Sequence, residues 1–293
     1  MRLRLGPSKT AGRHLDEWTP SERTALMSSY QTCFDALQTQ VETAATLGKD
    51  ILVKEHATWL MEPVAETEWV FGENSTHESP WTVKVKALPE QTRSALNETV
   101  LPDEFLKSWL PTFLIRHPAL VFPSSYRTCV DLNGAEAART ESAHALEMTM
   151  HWSRTLFDWY ALQIKTSASD SDPEVTWPII LDADDIMMEP EVVIRYSETV
   201  GLDPTRLKFS WVPASEEELG KMHGTERRMR STMSASTGIV DGKTSIDLDV
   251  NVEAKKWRLE FGEDEGQKIE KWVRAAMPDY EYMRAKRLRP RRS

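Results

Sequence analysis

Cysteine is nearly missing: Cys33 and Cys129 are the only two in 293 residues, too few and too far apart for a disulfide scaffold or a thiolate metal site. Both read as reduced core residues. No apolar run approaches the roughly 18 residues needed to span a bilayer, and the stretch from Met1 to Gly12 has no signal-peptide core. A cytoplasmic protein without a membrane segment is expected, so the sequons at Asn74 and Asn97 carry no consequence. Positive charge is also short, with 36 Lys and Arg against 46 Asp and Glu and a formal charge of −10. That is the wrong balance for neutralising the phosphates of a nucleic acid, and it leaves a small-molecule or protein partner. The basic concentration from Arg284 to Arg292 reads as a helix end running into a flexible tail over 284–293. No repeat and no second domain is visible, so 1–293 reads as one domain around one large core.

What is present is an alternation of helices and short apolar strands. Thr19-Pro20-Ser21-Glu22 supplies an N-cap, a first-position proline and a capping-box glutamate. Leu26, Tyr30, Phe34, Leu37 and Val41 then recur at helical spacing up to Gly48. Asp50 to Lys54 is a compact apolar run after that stop and reads as a buried strand. Phe113-Leu114-Ile115 reads as a second strand, followed by a helix through Phe122, Tyr126 and Val130. A long helix is expected from Ala135 to Ile164. Pro178 to Leu181 reads as a third strand, and Pro190 opens a helix closing on Gly201. Further helices are expected near Ser215–Met222 and Glu265–Lys286. The fold class is therefore α/β, a mostly parallel sheet flanked by helices.

Ligands of such sheets gather beyond the carboxyl ends of the strands, where loops and helix starts present unpaired amides. Lys54, Glu55 and His56 follow the first expected strand, and Arg116 follows the second. His56 can accept a proton near neutral pH, while Lys54 and Arg116 can hold anionic oxygens. Eight residues after Arg116 stands Ser124, early in the next helix. Ordinary alternatives accompany each: Arg116 pairing with an acid, Ser124 satisfying a helix start, His56 as a surface residue. His144 and His151 lie seven apart, about 10 Å on one helix face, too far to share a metal. Asp182, Asp184 and Asp185 read as solvated acids beside a turn.

The pairing of Arg116 with Ser124, and Lys54 with His56, resembles the P-loop sulfotransferase family, in detail the fungal sulfotransferase-like proteins, some of which accompany secondary-metabolite pathways. The likeness extends through Leu181 to Ile186 and the helix ending Val200-Gly201-Leu202. It implies transfer of a sulfuryl group from 3′-phosphoadenosine-5′-phosphosulfate to a hydroxyl of a small-molecule acceptor. His56 would be the base, Lys54 the charge stabiliser, and Arg116 and Ser124 the ligands of the donor's 3′-phosphate. That displacement requires no metal. Late basic segments of the family contact the nucleotide, and Arg227, Arg228 and Arg230 offer such a segment without the family's glycine-rich late signature, with a solvated helix face as the plain alternative.

The departure from the family that matters most concerns its opening elements. Its opening strand and phosphate loop have no counterpart: Ser8-Lys9-Thr10 lacks room for a preceding strand, and Gly238 to Thr244 is one residue short of a Walker loop. The first strand and phosphate loop are therefore expected to be absent. Two further readings stand beside the transferase: an accessory protein that binds without turnover, and a pathway enzyme using His56 for proton transfer without a sulfuryl donor.

Overall fold

The computed structural model describes residues 10–86, 88, 90–139, 142–164 and 174–291. Helices come first, α1 over Pro20–Thr46, α2 over Ala57–Leu60, α3 over Pro63–Phe71 and α4 over Asp103–Lys107. Strand β1, Thr112–Ile115, leads into α5 (Pro118–Asn133), α6 (Ala135–Arg139), α7 (His144–Glu147) and α8 (His151–Gln163). Strand β2, Ile179–Asp182, is followed by α9 (Ala183–Met188) and α10 (Pro190–Thr199). The last helices are α11 (Glu216–Lys221), α12 (Gly224–Met229), α13 (Ser231–Ala235), α14 (Val250–Phe261) and α15 (Glu263–Ala285). The chain forms two compact units. One holds residues 1–111 and 142–165, the other residues 112–141 and 166–293.

The first unit is helical. Thr19 and Glu22 form the reciprocal capping box that starts α1, and Gly48, at φ 61°, ends it, because a left-handed residue closes a helix most cheaply when it has no Cβ. Tyr30 on α1 donates to the Met61 carbonyl at 2.9 Å, and Tyr160 on α8 donates to the Leu106 carbonyl at 3.1 Å. Ala11, Met61, Ala143, Leu146 and Trp152 pack into a buried cluster. Gly12 sits at φ 75°, and a Cβ there would collide with the Ser142 carbonyl oxygen.

Two elements of this unit differ from expectation. Residues 50–54 form no strand. The apolar run has no partner strand among the described residues, and Leu52 is 82% exposed; a short apolar run by itself does not reveal whether a neighbour exists to complete a ladder. The expected helix from Ala135 to Ile164 is also interrupted. After α7 the Thr149 side chain accepts from the His151 amide at 3.0 Å, starting α8 afresh. The Trp152 indole donates to the Leu146 carbonyl at 2.8 Å, satisfying a group that a continuous helix would have used. His144 and His151 thus stand on different helices. Cys33 is exposed on α1 and Cys129 half-buried, so neither is a core residue.

The second unit is α/β. Its sheet, among the described residues, is two parallel strands in the register Thr112↔Ile179 to Ile115↔Asp182. All four residues of β2 are buried, while β1 buries only Phe113 and Ile115, the period-2 pattern of a strand covered on one face. α15 packs against both strands and α5, contributing Ile269, Val273, Ala276, Tyr280 and Met283 to the core. α14 and α15 form a tight hairpin: Gly266 lies so close to α14 that a Cβ would stand 2.6 Å from the Arg258 Cα and amide nitrogen.

The basic end of the chain, the tail suggested over 284–293, makes specific contacts through residue 291. The Leu288 amide donates to the Ile180 carbonyl at 2.8 Å, and Arg287 pairs with Asp185 at 2.5 Å. Arg195 donates to the Arg289 carbonyl at 3.0 Å, and Arg291 pairs with Glu198 at 2.8 Å. The final two residues lie outside the described set, as do Ser8 and Lys9 of the early loop.

Candidate functional site

The carboxyl edge of the sheet in the second unit is where the topology collects polar groups. Ile115 and Asp182 are register partners at the strand ends, so Arg116 and His117 leave β1 beside the turn in which Asp182 becomes the N-cap of α9. Proline at the first helical position and His117 as N-cap begin α5 at once. The His117 Nδ1 accepts from the Ala119 amide at 3.1 Å, which assigns any neutral-ring proton to Nε2. Burial pushes the His117 imidazolium pKa down, favouring that neutral cap.

Asp182 is fully buried. Its Oδ1 accepts from the Asp184 amide at 3.0 Å, and its Oδ2 accepts from the Tyr280 hydroxyl at 2.9 Å, with the Arg284 Nε 3.6 Å away. Desolvation still prevails over these bonds and raises its pKa above the usual carboxylate range. Asp184, also buried, accepts from the Ser245 amide at 3.1 Å and from the Ser245 hydroxyl. These are not the solvated turn acids expected. A buried carboxylate is tolerated only where donors surround it, and the donors come from α15 and the 241–245 loop, far away in sequence.

Arg116 is half-buried and donates through Nη2 to the Lys243 carbonyl at 3.0 Å. Its Nε is buried without a hydrogen-bond partner among the described residues, so part of the guanidinium is unspent at the strand end. Ser124 is exposed on α5. Of the later arginines, Arg228 pairs with Asp131 at 2.6 Å, near the far end of α5, and Arg230 pairs with Glu226 at 2.8 Å. Arg227 is exposed on α12. Asp131 lies about 20 Å along α5 from its start, so this arginine group gathers at the opposite end from Arg116.

In the first unit, Lys54, Glu55 and His56 are exposed, on irregular backbone instead of a strand end. His56 is the N-cap residue of α2 and its ring packs on Trp59 at 4.4 Å between centroids. The same unit holds a histidine–carboxylate pair: His151 Nε2 is 3.4 Å from Glu98 Oε1, and the Thr155 hydroxyl donates to Glu98 Oε2 at 2.6 Å. Desolvation pushes the Glu98 carboxyl up, but the bonds from His151 and Thr155 outweigh it and hold the pKa below the usual range. The His151 ring stacks on Trp69 at 4.1 Å and 15°. Among the described residues no group of three or more His, Cys, Asp or Glu is arranged to hold a metal, and no helix is long and apolar enough to cross a membrane.

The sequence signal for Arg116 and Ser124 was their position after a strand; Asp184, Tyr280 and Ser245 had none of comparable strength, because their meeting depends on how α15 and the 241–245 loop fold back.

No protein-family profile matches the chain, and no solved structure matches it. Individual relatives do. The chain is 44% identical over 281 residues to sulfotransferase ppzF of Metarhizium majus (strain ARSEF 297), which covers 96% of this chain and 82% of that protein. It is likewise 44% identical over 277 residues to sulfotransferase ppzF of Metarhizium rileyi (strain RCEF 4871), covering 94% and 81%. With so much identity spread over almost its whole length, the chain belongs to the ppzF sulfotransferase family.

Proposed function

We propose that the chain transfers a sulfuryl group from 3′-phosphoadenosine-5′-phosphosulfate to a hydroxyl of a small organic acceptor, within secondary metabolism. The observation that carries this reading is Arg116: a cation at the carboxyl end of β1 whose Nε is buried and has no hydrogen-bond partner among the described residues, on the strand–helix unit that presents the exposed Ser124 hydroxyl. A terminal phosphate dianion supplies the acceptor oxygens that such a guanidinium lacks. The 44% identity to proteins named sulfotransferases supports the reaction class.

In the reaction, the acceptor hydroxyl oxygen forms a bond to sulfur while the bond between sulfur and the donor's 5′-phosphate oxygen breaks, leaving 3′-phosphoadenosine-5′-phosphate. His56 takes the hydroxyl proton, and Lys54 stabilises charge around the transferred group. Arg116 and Ser124 hold the 3′-phosphate.

Calorimetric titration with 3′-phosphoadenosine-5′-phosphate, comparing wild type and Arg116→Ala, tests the donor site. Sharply weaker binding in the variant is expected, and a folded wild-type chain that does not bind would sink the assignment. The exposure of Lys54 and His56 favours a second reading, binding without turnover. Nucleotide binding with no sulfated product across a hydroxyl-acceptor screen selects it.

A further inference from the structure

Arg116 and Asp184 reach the same short loop from opposite strands. Arg116, after β1, donates to the Lys243 carbonyl at 3.0 Å. Asp184, after β2, accepts from the Ser245 amide through both carboxylate oxygens, at 3.2 and 3.1 Å, and from the Ser245 hydroxyl. Between these two grips stands only Thr244. Gly242, at φ 71°, turns the backbone into the loop, a conformation that favours a residue without Cβ. Asp184 is in turn anchored, its own amide bonded to Asp182, whose other oxygen is held by Tyr280.

We propose that Asp184 is a positioning residue for the anion site: by clamping Ser245 it sets the Lys243 carbonyl, and that carbonyl orients the Arg116 guanidinium toward the donor's phosphate. The proposal rests on the reading of Arg116 as a donor ligand. A guanidinium on a long side chain is mobile unless one edge is tied. Here one amino group is tied to backbone, while Nε has no hydrogen-bond partner among the described residues. The tie is only as rigid as its carbonyl, and Asp184 holds the residue two positions on. The clamp also keeps the Lys243 side chain, exposed on that loop, at the same edge of the sheet.

The test is calorimetric titration with 3′-phosphoadenosine-5′-phosphate of wild type, Arg116→Ala, Asp184→Ala, Ser245→Ala and the double variant Arg116→Ala/Asp184→Ala, with Asp184→Asn as the conservative replacement. Asp184→Ala is expected to weaken binding about tenfold, with Asp184→Asn recovering part of it, because residues within one hydrogen-bonded unit couple at this scale. The double variant should bind no more weakly than Arg116→Ala alone. Trypsin should cut after Lys243 faster in Asp184→Ala than in wild type. Should Asp184→Ala fail to fold, Ser245→Ala decides by the same two readouts. Strictly additive losses, or Asp184→Ala and Ser245→Ala binding as wild type while Arg116→Ala is impaired, overturn the positioning role and leave the donor site standing. Wild-type binding that Arg116→Ala does not weaken overturns the donor role of Arg116 itself, and the positioning role with it.

Discussion

The Tyr280 hydroxyl donates to Asp182 Oδ2 at 2.9 Å, joining residues 98 positions apart inside the second unit. The bond ties the C-terminal part of α15 to the carboxyl end of β2 and satisfies a carboxyl group that has no access to water. Around it the Asp184 amide and Arg284 complete the partners that make this burial tolerable.

Tyr280→Phe keeps the ring and removes only the donor. The variant should lose about 1–3 kcal/mol of stability, the cost of leaving a buried acceptor short of one bond, read as a lower urea midpoint at unchanged slope. A midpoint equal to wild type would mean that the hydroxyl contributes nothing to holding Asp182.

The raised pKa of Asp182 has a pH signature whose sign is opposite to that of an ordinary salt-bridged acid. Burial makes the native state hold this proton to higher pH than the unfolded chain does. The native state therefore binds more protons between the unfolded and folded pKa values, and stability contributed by this group falls as pH rises through that window, then levels off. The stability of wild type minus that of Asp182→Asn, measured by urea titration from pH 3 upward, should decline with pH. A difference that climbs would show that the donors outweigh desolvation.

At the α14–α15 hairpin, Gly266→Ala places a methyl group 2.6 Å from the Arg258 backbone. The contact is with main chain, which cannot swing aside, so the helices must part. A loss of about 1–3 kcal/mol is expected from such overpacking, seen as a reduced melting temperature with helical content retained. Wild-type melting behaviour would contradict the close crossing.

For the proposed chemistry, His56→Ala should lower kcat by about 10²–10⁴-fold if this residue is the proton acceptor, while leaving calorimetric affinity for 3′-phosphoadenosine-5′-phosphate within about twofold of wild type. Arg116→Ala should do the reverse and act chiefly on donor affinity. Undiminished turnover in His56→Ala would move the base elsewhere, and the His151–Glu98 pair is then the next variant to make.

Local sequence alone determined the start of α1 from its Thr19–Glu22 box, the two strands to within a residue (113–115 and 178–181 expected, Thr112–Ile115 and Ile179–Asp182 found), the helix after Pro118 and the helix from Pro190. Capping, proline placement and compact apolar runs are short-range effects, so they survive translation from sequence to structure without knowledge of neighbours. The proximity of Arg116 to a strand end was legible for the same reason. Tertiary structure decided the rest. The run at 50–54 shows how an apolar segment becomes a strand only if another strand lies alongside, and the break at 148–150 depends on a carbonyl finding the Trp152 indole. Above all, Asp182 and Asp184 look like solvent-exposed turn acids until Tyr280 and Ser245 arrive from far along the chain. A carboxylate's environment is set by which donors surround it in space, and sequence spacing carries no information about a partner 61 or 98 residues away.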